Sequence, residues 1–174
     1  KKNMRSRTAT WFETKIRYEK TIDDGSQKKV SESYVVDALS FTEAENTIIE
    51  EMSAYISGDF KVTDLKQASY GEIFFSDADS DDKWYKCKLQ FITIDEKTEK
   101  EKRSNVTYLV QANNLPMAVK HVDEVMNGTM IDYAIVTVQE TQIMDVFEHN
   151  GTKAKGEAHN DVPEYEATST GENQ

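Results

Sequence analysis

The chain has 174 residues, 37% of them apolar, and a formal net charge of −11. That length suits one domain or two small units sharing a core. The charge repels a phosphate backbone at long range, which disfavours nonspecific duplex binding unless the cations are segregated. A single cysteine excludes an intrachain disulfide, and no apolar run approaches the ~18 residues of a membrane span.

Residues 1–9 read as a basic flexible arm carrying Lys1, Lys2, Arg5 and Arg7. Such a run is ordinary solvated surface or an electrostatic footprint for an anionic partner. No secretory signal pattern is present, so a cytoplasmic location is expected.

From there two stretches resemble each other. Trp11-Phe12-Glu13-Thr14-Lys15-Ile16-Arg17-Tyr18 recurs 73 positions later as Trp84-Tyr85-Lys86-Cys87-Lys88-Leu89-Gln90-Phe91. Alternation with period two marks a half-buried strand, with Phe12, Thr14, Ile16 and Tyr18 facing the core. Polar turns follow, Asp23-Asp24-Gly25-Ser26 in the first copy and Asp95 to Lys100 in the second. The Asp-Gly step suits a hairpin that needs positive φ. A second alternating strand then repeats as Tyr34, Val36, Ala38 and Tyr108, Val110, Ala112, now 74 positions apart.

A helix comes next in each copy. Ser40 with Glu43 forms a capping box, and Phe41, Ala44, Ile48 and Met52 share a face. In the second copy Asn114 is the cap, Pro116 lies in the first turn, and Leu115, Ala118, Val122 and Met126 make the face. Gly58 and Gly128 are expected to end the helices in the left-handed conformation. The closing stretches Phe60 to Phe75 and Met130 to Phe147 exceed the usual strand of 5–6 residues, so each is bulged or split in two.

The expected fold is α+β: a tandem duplication of a β-β-α-β unit, with antiparallel sheet or sheets and two helices related by a pseudo-twofold. The units span residues 10–76 and 84–149, an acidic linker covers 77–83, and 150–174 form a polar tail too poor in apolar side chains to offset ordering entropy. Neither unit is large enough to bury an adequate core alone, so the two are expected to pack together.

Chemistry-bearing constellations are few. The linker Asp77-x-Asp79-x-Asp81-Asp82 starts like a calcium loop, but the sixth and twelfth positions are Asp82 and Lys88 rather than glycine and glutamate. Cys87 falls on the inward face as a small hydrophobe, and His121, His149 and His159 have no spacing that suggests a zinc site or a triad. No phosphate loop or hydrolase motif occurs. No metal, cofactor or enzymatic activity is therefore expected. Trp11 and Trp84 fall opposite the core, beside Lys15 and Lys88. Either a second layer buries both, as is usual for large aromatics, or they form Trp-Lys patches that grip a protein or single-stranded nucleic acid.

The segments Trp11 to Tyr18, Tyr34 to Glu45 (Tyr-Val-Val-Asp-Ala-Leu-Ser-Phe-Thr-Glu-Ala-Glu) and Glu140 to Phe147 (Glu-Thr-Gln-Ile-Met-Asp-Val-Phe) resemble an uncharacterised domain-of-unknown-function family of Bacteroidetes and their phages and mobile elements. The resemblance implies a bacterial or phage protein and carries no activity or site residues. The function expected is non-enzymatic binding or assembly through protein contacts, with a basic protein or a second copy of the chain as partner. The alternative is a single-stranded nucleic-acid-binding accessory protein using Arg5, Arg7 and the pairs Trp11/Lys15 and Trp84/Lys88.

Overall fold

The computed structural model describes residues 4–148. The tail 150–174, His149 and the first two lysines lie outside them. The elements in chain order are β1 (Arg5–Arg7), β2 (Trp11–Thr21), β3 (Gln27–Asp37), α1 (Phe41–Ser53), β4 (Phe60–Ala68), β5 (Glu72–Phe75), β6 (Lys83–Ile94), β7 (Glu101–Ala112), α2 (Leu115–Asn127), β8 (Asp132–Glu140) and β9 (Ile143–Phe147). Both halves thus run strand, strand, helix, strand, strand, and each closing stretch is split in two.

The expected hairpins form where the turn chemistry places them. Gly25 takes φ 82°, the Ser26 amide donates to Asp24 Oδ1, and β2 pairs with β3 from Trp11↔Asp37 to Thr21↔Gln27. Both helices start at the predicted caps, where Ser40 Oγ accepts from the Glu43 amide at 3.1 Å and Asn114 Oδ1 from the Met117 amide at 2.8 Å. Their ends differ from expectation. Ala54 caps α1, and Gly128 caps α2 at φ −76° rather than in the left-handed region. Amides just past each helix (Ile56, Gly128) donate to carbonyls of the last turn without it. Gly58 does take φ 124°, in the loop beyond α1.

The sheets are mixed, not antiparallel. One has the order β4-β2-β3-β9, the other β1-β5-β7-β6-β8. The last strand of each half leaves its own sheet: β5 lies parallel to β7 and β9 parallel to β3. Each half thus completes the other's sheet. β1 then pairs antiparallel with β5, Arg7 opposite Ile73, so the expected free arm is an edge strand at these residues.

Three apolar clusters result. Phe12, Ile16, Tyr34 and Val36 pack under α1, and Tyr85, Cys87, Leu89 and Val110 pack under α2. The third lies between the sheets, where Trp11, Val35 and Val146 meet Ile73, Trp84 and Leu109. Each sheet therefore has a helix-covered face and an inner face, and the alternating residues that look away from the helices form the inner face. No helix among the described residues is long and apolar enough to cross a membrane.

Candidate functional site: the inner faces of the two sheets

Inner-face positions begin in a dry core and end in solvent. Trp11 is 0% exposed and Trp84 2%; Phe75 meets Trp84 edge-on, centroids 5.5 Å apart. The Trp-Lys patches are thus overturned. The faces carrying both rings are covered by the opposing sheet, leaving no open π-face for a base. Lys15 and Lys88, two alternate positions further along, are exposed, so the structure does not bring either lysine and its tryptophan together as a binding surface.

Arg5 and Arg7 are likewise committed. Arg7 reaches across the sheets to buried Asp37 at 2.7 Å and to Glu148 at 3.7 Å. Arg5 makes two hydrogen bonds to Glu148 and lies over the Phe75 ring at 4.3 Å. A guanidinium held by carboxylates is a weak phosphate ligand, so Arg5 and Arg7 form a clamp within the fold.

Next to the tryptophans sits a polar row. The Tyr70 hydroxyl donates to Glu13 Oε1, and Lys66 and Lys86 approach the same carboxylate at 3.3 and 3.7 Å. Lys86 also lies 5.6 Å from the Tyr70 ring centroid. Burial alone would raise the Glu13 pKa, but the Tyr70 hydrogen bond and the two ammonium groups outweigh it and hold it below the usual carboxylate range. Burial, and the bond to Glu13, push the Tyr70 phenol up. Glu13 and Lys86 occupy matching positions in the two resembling stretches, so an acid in one half pairs with a base in the other.

This row floors a cleft of about 430 Å³ between the sheets, also lined by Lys15, Asp64 and Gln139. A second hollow of about 600 Å³ follows along the four-stranded sheet, bordered by Arg17, Lys29 and Lys61 and by the carboxylates Glu19 and Asp59. Strand pairing assembles this charged stretch: Arg17 lies opposite Lys61, while Lys15 faces Asp64 and Lys29 faces Glu19. The inner faces beyond the tryptophans present Lys15, Arg17, Lys29, Lys61 and Lys66 on one sheet and Lys86, Lys88 and Arg103 on the other. Against these eight cations stand five carboxylates, Glu13, Glu19, Asp64, Glu101 and Asp132. In a chain of net charge −11, eight of the 21 Lys and Arg residues thus lie on the inner faces, where they outnumber the carboxylates. Lys15, Arg17, Lys29, Lys61 and Lys88 form no ion pair among the described residues.

Arg17 and Lys61 are 44 positions apart in sequence. Only the alternation of β2, which places Arg17 with Lys15 and Trp11, could have pointed to this face; the pairing with β4 is a tertiary fact.

The other sequence candidates are structural. Cys87 is 0% exposed and burial pushes its thiol up to about 12, so it is a poor nucleophile. The linker is folded on itself, with Ser76 Oγ donating to buried Asp81 and the Ala78 amide to Ser76 Oγ. His121 packs there, its Nδ1 3.0 Å from the Gln111 carbonyl and its Nε2 3.9 Å from Asp81. Among the described residues no group of three His, Cys, Asp or Glu side chains is placed to hold a metal ion.

No curated protein and no solved structure matches the chain. Residues 10–149 match the family described as Domain of unknown function (DUF4494). That span takes in every strand of both sheets except β1, so the chain belongs to this family of unknown function.

Proposed function

We propose that this is a non-enzymatic binding protein, of bacterial or phage origin and acting in the cytoplasm, that receives an acidic, extended segment of a partner protein along its inner faces. The observation that carries this reading is the concentration of unpaired cations at Lys15, Arg17, Lys29 and Lys61. Lys15 and Arg17 are two residues apart on one strand, about 6.8 Å, the spacing of alternate side chains in an extended peptide. This keeps the protein contact expected from the sequence and reverses the partner's sign. The acidic surface lies elsewhere, including the α1 residues Glu43, Glu45, Glu50 and Glu51.

Of the residues that the nucleic-acid alternative draws on, Trp11 and Trp84 are buried and Arg5 and Arg7 are held by carboxylates. No aromatic ring stands exposed on the inner faces among the described residues, and sequence-tolerant single-strand binding relies on such rings.

The test is fluorescence anisotropy of a labelled poly-glutamate peptide and of a labelled oligothymidylate with the full chain. The peptide is expected to bind saturably, to weaken about tenfold between low salt and 0.5 M salt as screening shortens, and to be lost in the Lys15→Glu/Arg17→Glu/Lys61→Glu variant. Peptide binding unchanged in that variant, or oligothymidylate binding the tighter of the two, refutes the proposal.

A further inference from the structure

The chain itself carries an acidic segment outside the described residues. Residues 156–174 carry Glu157, Asp161, Glu164, Glu166 and Glu172 and no lysine or arginine. The chain leaves β9 at Phe147, paired with Val36 of β3, and Glu148 is anchored by Arg5 and Arg7. From Val36 to Ser31, the partner of Arg17, the path runs about 17 Å back along β3. β2 and β4 lie two and three strands from β9, which puts Arg17 and Lys61 about 20–22 Å away. Residues 149–156 span up to about 27 Å when extended, so the first acidic residue beyond them comes within reach of Lys15, Arg17 and Lys61. Glu164 and Glu166 are two apart, the spacing that Lys15 and Arg17 present, and Val162 and Tyr165 supply apolar surface beside them.

We propose that the acidic segment Glu157 to Glu172 occupies the cationic inner face in cis, so that an outside partner binds by displacing it. This rests on the reading of that face as a site for acidic segments. A tether this short sets an effective concentration on the order of millimolar. Even a weak contact, with a Kd of about 0.1 mM, then lowers the apparent affinity of a competitor about tenfold.

The experiment uses the full chain with a nitroxide on Ser169→Cys; buried Cys87 stays unlabelled. Amides of Lys15, Arg17 and Lys61 are expected to broaden and those of α2 to remain sharp, with the effect abolished by 0.5 M salt or by Lys15→Glu/Arg17→Glu/Lys61→Glu. Broadening that is absent, that survives the triple reversal, or that scales with protein concentration overturns the proposal. A second arm neutralises the segment (Glu157→Gln, Asp161→Asn, Glu164→Gln, Glu166→Gln, Glu172→Gln) and measures poly-glutamate binding. About tenfold tighter binding than to the native chain supports displacement. Equal binding to both removes the tail as occupant and leaves the site's preference for acidic segments standing. Binding to neither removes both readings.

Discussion

Truncating either tryptophan tests whether the inner faces meet as described. Trp11 and Trp84 are both essentially solvent-free and stand on opposite sheets of one cluster. A tryptophan buries about 150–250 Å², which at about 25 cal/mol per Å² comes to about 4–6 kcal/mol. Partial relaxation brings the cost of Trp→Ala to about 3–5 kcal/mol. For a domain of this size that lowers Tm by roughly 6–20 °C. The two sites separate under Trp→Phe. Trp11 Nε1 is buried with no acceptor among the described residues, and an unpaired buried donor costs about 1–3 kcal/mol. Trp11→Phe sheds that penalty while losing area, so it is expected to be milder than Trp84→Phe. Urea unfolding followed by circular dichroism reads both comparisons. A cost below about 1 kcal/mol for either alanine variant, as for an exposed aromatic, would falsify the packing of the sheets.

The Glu13 cluster makes a pH prediction. Its folded pKa lies below the unfolded value, so its contribution is present above about pH 4.3 and is lost as pH falls through the lowered folded value. Glu13→Gln should therefore destabilise by about 1–2 kcal/mol at pH 7, with the gap from the native chain closing below about pH 4 in pH-dependent melts; a constant gap would mean the charge is not what matters. Cys87 should resist a thiol reagent such as Ellman's under native conditions and react stoichiometrically once unfolded, and fast native labelling would contradict its placement under α2. Ser40→Ala and Asn114→Ala should each cost about 1 kcal/mol, measured by urea unfolding; no loss at either site would mean that the cap contributes nothing there.

Much of the fold was readable because it is locally encoded. The alternation of Phe12, Ile16 and Tyr18 identifies a helix-covered face, and Ser40 and Asn114 mark helix starts through a hydrogen bond three residues long. What escaped is non-local. Ile73-Phe74-Phe75 reads as a buried strand, yet nothing within it says that its neighbour is β7 of the other half. The same alternation that set Trp11 apart from Phe12 says nothing about what covers the second face, and the answer came from the opposing sheet. Gly128 shows a weaker limit, since glycine permits the left-handed cap without requiring it. Of the site, the sequence reading reached Lys15 and Lys88. It missed Arg17, Lys29 and Lys61, which become one surface only through strand pairing, and it assigned Arg5 and Arg7 to a free arm because their carboxylate partners, Asp37 and Glu148, are distant in the chain.

The central claim is that the inner face of the four-stranded sheet is a receptor for acidic segments. Titrating poly-glutamate into the ¹⁵N-labelled full chain, followed by amide shift mapping, tests it most directly. The account predicts shifts that saturate and cluster at Lys15, Arg17, Lys29 and Lys61, with α1 and α2 unmoved. Shifts confined to the helices or to the β8 edge, or no shifts at millimolar peptide and low salt, would contradict it.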